Sequence, residues 1–255
     1  MPVAKNTFKA ALKTGKPQIG LWLGLADAGV AELCAGTGFD WLVIDGEHGP
    51  NGLRDILDQL RAIGGKSHPV VRTRDDNRAV IKQMLDIGAQ TLLVPMIESG
   101  DQAREVVRSV LYPPQGLRGV GAGLARASDY NGVADYLQTA DDEVCLLLQV
   151  ESMAGVSALD DILALERVDG VFVGPADLAA DMGFLGKPFA SEVQEMVRDT
   201  LTRIRAAGKA AGILTSDRDL AHTYAKMGVE FVAVGSDVGT LRTGLMKLRQ
   251  EFRLV

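Results

Sequence analysis

Short apolar runs and longer amphipathic segments alternate along the chain. The apolar runs are rich in Val, Ile and Leu, and their alternation with helical periodicity predicts parallel strands joined by crossover helices. Eight runs are present, at residues 18–23, 41–45, 69–72, 91–94, 145–150, 170–173, 210–214 and 231–234. Eight strand–helix units predict an α/β fold, a single (β/α)8 TIM barrel with an N-terminal helix, over one domain of residues 1–255.

The segments between these runs carry the signals of helices. Apolar residues at helical spacing predict helices at residues 52–63, 76–87, 101–111, 191–207, 218–227 and 241–252, several of them followed by a glycine suited to a C-cap. Residues 112–139 are longer than a simple loop, and we expect them to form an ordered excursion over one barrel face.

Composition narrows the class of protein. The 255 residues are 47% hydrophobic with a formal charge of −6, and the apolar runs are far shorter than the roughly 18 residues of a membrane span. No secretory signal is evident at the N-terminus, so we expect a soluble, cytoplasmic protein. Two cysteines exclude a disulfide framework, and the scattered basic residues disfavour nucleic acid and membrane partners.

Polar residues cluster at the predicted C-terminal ends of the strands, where the active sites of such barrels lie. They are Asp45, Glu47 and His48 after the second strand, Arg72 at the end of the third, Gln149 and Glu151 at the end of the fifth, and Asp177 after the sixth. These strand ends therefore hold the candidate chemistry.

Two carboxylates on neighbouring strand ends predict a cation site. Gln149 and Glu151 flank Val150, so the period of a strand points both polar side chains into the barrel mouth. A carboxylate there requires a cation or a partner, so Glu151 either binds a metal or forms a buried ion pair with Arg72. Asp177 either binds the same metal or caps the following helix. Because His and Cys ligands are not clustered, Mg²⁺, Mn²⁺ or Co²⁺ is favoured over zinc.

His48 and Arg72 are the other candidates for catalysis. His48 is the one histidine at the predicted mouth, where it is either a general base or a solvated side chain. Arg72 ends a buried strand, where its guanidinium either neutralises an enolate or a carboxylate of the substrate, or forms an ion pair with Asp45 or Glu47.

Two alternative chemistries are disfavoured. No lysine occupies a mouth-facing strand position, so a Schiff-base mechanism lacks its nucleophile. Asp217 and Asp237 follow the seventh and eighth strands where a phosphate would bind, although Gly235-Ser236 leaves a phosphorylated substrate possible.

Together these motifs resemble those of the HpcH/HpaI aldolases, over nearly the whole chain. The matching segments are residues 45–49 (DGEHG), 69–72 (PVVR), 84–90 (MLDIGAQ), 112–114 (YPP), 118–121 (RGVG), 149–151 (QVE) and 173–178 (VGPADL). The resemblance implies a metal-dependent class II pyruvate aldolase that cleaves a 4-hydroxy-2-oxo acid, such as 4-hydroxy-2-oxoheptane-1,7-dioate, to pyruvate and an aldehyde. The alternatives are an aldolase for 2-keto-3-deoxy sugar acids or a barrel lyase acting on CoA thioesters or phosphoenolpyruvate.

The resemblance also implies roles for individual residues. His48 would be the base with its basicity raised by Asp86, Arg72 would stabilise the transition state, and Glu151 and Asp177 would hold the divalent metal ion, with no organic cofactor. The implied substrate-binding residues are Trp22, Gln149, Gly174, Pro175, Ala176, Asp177 and Leu214. The implied assembly is a homo-oligomer, a hexamer built as a trimer of dimers.

Overall fold

The structure, a computed structural model, describes residues 3–252. Its eight parallel strands close into one barrel in the order in which they occur in the sequence. They are β1 Gln18–Leu23, β2 Trp41–Asp45, β3 His68–Arg72, β4 Thr91–Val94, β5 Cys145–Val150, β6 Gly170–Val173, β7 Ala210–Leu214 and β8 Phe231–Ser236. The predicted (β/α)8 barrel is confirmed, with β3 starting one residue early and β8 ending two residues late.

Helices follow the strands around the outside of the barrel. They are α1 Thr7–Ala11, α2 Ala28–Ala35, α3 Leu53–Ile63, α4 Arg78–Asp86, α5 Gly100–Val110, α6 Tyr136–Glu143, α7 Met153–Ser157, α8 Leu159–Leu163, α9 Pro175–Asp181, α10 Ser191–Ala206, α11 Arg218–Lys226 and α12 Asp237–Glu251. Helices α2 and α6 to α9 are absent from the prediction, because five to eight residues make too few turns to show a helical period. No helix in residues 3–252 has the length and apolar character needed to cross a bilayer.

Aromatic side chains fill the lower half of the barrel interior. The Trp41 and Phe231 rings lie 5.7 Å apart, and each covers a glycine of a neighbouring strand, Gly20 under Trp41 and Gly212 under Phe231. A Cβ at either glycine would overlap the ring, so these two positions admit no side chain. The buried charged side chains Asp45, Arg72 and Glu151 lie at the opposite end, where the strands finish.

Helix α12 packs differently from the helices before it. Ser236 caps it by accepting a hydrogen bond from Gly239 N at 3.1 Å, which starts the helix four residues before the predicted boundary. Asp237 is its one buried residue within the described part of the chain. The exposed apolar side chains of α12 and the residue after it are Val238, Leu241, Leu245, Met246, Leu248 and Phe252. This helix therefore exposes an apolar face along its length.

Candidate active site

A buried ion-pair cluster joins the ends of β2 and β3. Asp45 and Arg72 are register partners on these strands, and the Arg72 guanidinium donates to both carboxylate oxygens of Asp45 at 2.9 and 2.7 Å. A third nitrogen of Arg72 lies 2.6 Å from Glu47 Oε2. The guanidinium also lies 5.0 Å from the centre of the Trp22 ring. The ion pairs considered from the sequence are therefore both formed, and they fix the guanidinium at the mouth.

Asp45 organises the turn that carries His48. Its carboxylate accepts the backbone N–H groups of Glu47 at 3.0 Å and His48 at 3.2 Å, and it accepts the indole N–H of Trp22 at 3.2 Å. Burial alone would raise the pKa of Asp45, but hydrogen bonds and charge from Arg72 outweigh burial and hold the pKa below its usual value. The His48 side chain is exposed at the mouth. Asp45 thus positions the turn, a role that sequence analysis did not assign to it.

Glu151 is the buried carboxylate at the end of β5. Gln149 donates its side-chain amide to Glu151 Oε2, and Met96 donates its backbone N–H to Oε1 at 2.9 Å. Burial raises the pKa of Glu151, and the nearby charges of Glu47 and Asp177 add to the rise, against the lowering effect of these two hydrogen bonds. The alternative ion pair with Arg72 is not formed within residues 3–252, because Arg72 pairs with Asp45 and Glu47 instead.

Asp177 faces the same space from the first turn of α9. This helix begins at Pro175 with Gly174 as N-cap, and no side chain caps it. Asp177 is exposed, and its charge contributes to raising the pKa of both Glu47 and Glu151. The capping alternative is therefore not realised, and the carboxylate lies close enough to Glu47 and Glu151 for its charge to act on both.

The mouth has the donor set that a hard divalent cation requires. Glu151 and Asp177 supply carboxylates from adjacent strand ends, and their mutual repulsion would be relieved by a cation. The buried side-chain oxygen of Gln149 has no partner among the described residues. Gly174 leaves room beside Glu151 that a Cβ would fill. Within residues 3–252 no cluster of three or more Asp, Glu, His or Cys side chains encloses an ion, so the fit is to a cation with two protein ligands and open positions.

The remaining predicted substrate residues line the same end of the barrel. Trp22 packs 5.5 Å from the Phe172 ring in the interior below the cluster. Pro175, Ala176 and Leu214 line a cavity of about 540 Å³ between the ends of β6, β7 and β8. Three of these four residues therefore line one cavity, and Trp22 lies in the interior.

Asp86 lies at the other end of the barrel. It ends α4 shortly before β4 begins at Thr91, so it is at the N-terminal end of the barrel, opposite the mouth. Its carboxylate accepts from buried Arg118 at 3.0 Å, and Arg118 also donates to the Tyr136 hydroxyl at 3.2 Å. The predicted pairing of Asp86 with His48 is therefore not formed within the chain, because a side chain at the N-terminal end of the barrel cannot reach its mouth.

Comparisons with known proteins place the chain among its relatives. A family model described as HpcH/HpaI aldolase/citrate lyase matches residues 18–243. The chain belongs to this family. The hydroxypyruvate/pyruvate aldolase of Pseudomonas aeruginosa is 55% identical over 254 residues, which cover 99% of this chain and 95% of that protein. The 4-hydroxy-2-oxo-heptane-1,7-dioate aldolase of Escherichia coli is 53% identical over 249 residues, 97% of this chain and 95% of that protein.

A solved structure of a relative has the same fold as this chain. An HpcH/HpaI aldolase/citrate lyase family protein from Burkholderia cenocepacia J2315 superposes with a TM-score of 0.94 at 41% identity, and covers 98% of this chain and 100% of that chain. The protein is therefore an aldolase, a carbon–carbon lyase of the class II pyruvate aldolase family.

Proposed function

We propose that the protein is a divalent-metal-dependent aldolase that reversibly cleaves a 4-hydroxy-2-oxo acid to pyruvate and an aldehyde. The observation that carries the proposal is the placement of Glu151 and Asp177 on adjacent strand ends, beside a fixed guanidinium from Arg72 and the exposed imidazole of His48. The names of relatives in Pseudomonas aeruginosa and Escherichia coli support the same reaction class.

In this proposal the side chains divide the work of the cleavage. A divalent ion such as Mg²⁺, Mn²⁺ or Co²⁺, held by Glu151 and Asp177, would polarise the 2-oxo group and stabilise negative charge on it. The N–H groups of Ala176 and Asp177 in the first turn of α9 would hold the substrate carboxylate, with Gln149 beside them. His48 removes the proton of the 4-hydroxyl group, the C3–C4 bond breaks, and an aldehyde leaves. Arg72 faces the enolate that remains and stabilises its charge until C3 is protonated.

Asp86 can take part in this scheme through a second copy of the chain. It lies at the end of the barrel opposite His48 of its own protomer, so any role as partner of that histidine requires a neighbouring subunit. The exposed apolar side chains of α12, including Leu241, Leu245 and Leu248, support self-association, because soluble proteins rarely expose extended apolar patches. We therefore keep the homo-oligomer, and the hexamer as its specific form, as part of the proposal.

Exchange of the pyruvate methyl protons with deuterated water tests the proposal without a choice of aldehyde. After treatment with a chelator the protein should not catalyse this exchange, and added Mg²⁺, Mn²⁺ or Co²⁺ should restore the exchange. In the Glu151→Gln variant the rate of exchange should fall by at least about 100-fold, because the variant no longer holds the ion. Glu98→Gln is the matched control, since Glu98 is an exposed carboxylate after β4.

Either of two results would overturn this assignment. Exchange at the full rate in the chelated protein would show that the reaction does not require a metal ion. Equal rates of exchange in the Glu151→Gln and Glu98→Gln variants would show that Glu151 does not take part in the reaction. Addition of pyruvate or hydroxypyruvate to an aldehyde then identifies the preferred nucleophile, since relatives are named for both compounds.

A further inference from the structure

The loop between β4 and α5 supplies a backbone group to the candidate metal site. Met96, in this loop, donates its N–H to Oε1 of Glu151 at 2.9 Å. The next residue, Ile97, is buried and donates its N–H to the carbonyl of Gln149 at 3.0 Å. The loop thus contacts both polar residues at the end of β5, and its conformation bears directly on where the Glu151 carboxylate lies.

Met96 has an unfavourable backbone conformation. Its φ of 56° lies in the left-handed region, where the Cβ of an L-residue crowds the following carbonyl oxygen. The residue is 48% exposed, so burial of its side chain does little to stabilise this conformation. A residue keeps such a conformation only where its surroundings hold it there. The contacts of the Met96 backbone must therefore provide the stabilisation.

Gln102, in the first turn of α5, provides these contacts. Its side-chain nitrogen donates to the carbonyl of Met96 at 3.0 Å and to Oδ2 of Asp76 at 2.9 Å. Its side-chain oxygen accepts the backbone N–H of Glu98 at 2.8 Å. The two partners of the nitrogen are acceptors and the partner of the oxygen is a donor, so the three contacts fix the orientation of the amide. Because Asp76 follows β3, the amide also joins the loops after β3 and β4.

We propose that Gln102 is a positioning residue of the metal centre. It holds Met96 in its left-handed conformation, and the N–H of Met96 then fixes the Glu151 carboxylate for the divalent ion. The inference rests on the proposed function, which assigns the ion to Glu151. Without the amide of Gln102, Met96 would relax to a favoured conformation and turn its N–H away from Glu151. Binding of the ion would then have to restore the unfavourable conformation of the loop.

Calorimetric titration of the chelated protein with Mn²⁺ measures this role without turnover. In Gln102→Ala the dissociation constant for Mn²⁺ should rise by about 5- to 30-fold, the factor that corresponds to the steric cost of a left-handed L-residue. An affinity equal to that of the wild type would overturn the role of Gln102.

Ser99→Ala is the matched control for loss of the helix start. Ser99 caps the same helix by accepting the backbone N–H of Gln102 at 3.1 Å, and its cap does not involve the backbone of Met96. This variant should unfold at a lower urea concentration than the wild type but keep the wild-type affinity for Mn²⁺. An equal loss of affinity in Ser99→Ala and Gln102→Ala would show that Gln102 acts only through the stability of α5.

Met96→Gly tests whether Gln102 acts through the backbone of Met96. Glycine adopts a positive φ without steric cost, so in this background the left-handed conformation depends less on the amide. Addition of Gln102→Ala to Met96→Gly should therefore change the affinity for Mn²⁺ by no more than about twofold. The same loss of affinity with and without Met96→Gly would overturn the inference.

Amide hydrogen exchange at single-residue resolution separates this inference from the proposed function. In the protein without metal, the N–H of Met96 should exchange faster in Gln102→Ala than in the wild type. Faster exchange in a protein that binds no divalent ion would keep the positioning of Glu151 and remove the proposed reaction. Metal-dependent exchange of pyruvate protons, with unchanged Met96 exchange and Mn²⁺ affinity in Gln102→Ala, would keep the reaction and remove the role of Gln102.

Discussion

Replacing Arg72 with methionine should affect stability and turnover through two separable causes. The Arg72, Asp45 and Glu47 side chains are only 7%, 6% and 15% exposed, and three nitrogen–oxygen contacts of 2.6 to 2.9 Å join them. Removing the guanidinium leaves Asp45 buried without its counter-charge, which costs about 3–5 kcal/mol of the free energy of unfolding. Loss of a charge-stabilising donor should separately lower kcat by about 100- to 1000-fold.

A second substitution separates the two causes. In the double variant Arg72→Met with Asp45→Asn, the more deeply buried of the two carboxylate charges is removed, so much of the lost stability should return while turnover stays low. Urea unfolding followed by circular dichroism measures the first quantity, and pyruvate release measures the second. Arg74→Met is the control, since Arg74 is 69% exposed and pairs with Asp75 at the surface. If stability and turnover recover together, Arg72 acts on the fold alone and our reasoning about catalysis is refuted.

Two further predictions concern Gly174 at the mouth and the partly buried histidine His68. Gly174→Ala should weaken binding of the divalent ion by about 10- to 100-fold in calorimetry, because the added Cβ would lie 2.8 Å from Glu151 Cβ. The circular dichroism spectrum should stay helical, and an unchanged affinity for the ion would contradict this prediction. Burial lowers the pKa of His68 from 6.5 to about 4. As the pH falls below about 6.5, the unfolded chain therefore binds a proton at His68 before the folded chain does. The free energy of unfolding should fall by up to about 3 kcal/mol between pH 6.5 and about pH 4. His68→Gln should reduce this loss in urea unfolding, whereas substitution of exposed His222 should not.

The sequence by itself determined the barrel and the end of the barrel that holds the polar residues. Apolar periodicity is a property of neighbouring residues, so eight strands could be located and their C-terminal ends compared. Gln149 and Glu151 could be placed on one face of β5 because the period of a strand is two. The resemblance to the HpcH/HpaI aldolases is confirmed by the family match over residues 18–243.

Only the tertiary structure showed which contacts Arg72 and Asp177 make. Sequence left Arg72 between an ion pair and a catalytic role, and the packing of β2 against β3 shows that the pair with Asp45 forms in either case. Sequence left Asp177 between a cap and a ligand, and the start of α9 at Pro175 removes the cap. Met96 gave no signal at all, since its contribution to the site is a backbone N–H donated to Glu151.

Asp86 shows most clearly what a local sequence pattern cannot predict. A motif implies that Asp86 assists His48, but the direction of α4 carries it to the foot of the barrel, where Arg118 binds it. The reason is physical: periodicity and turn chemistry act within a few residues, whereas pairing, burial and enclosure depend on side chains that folding brings together from distant parts of the chain.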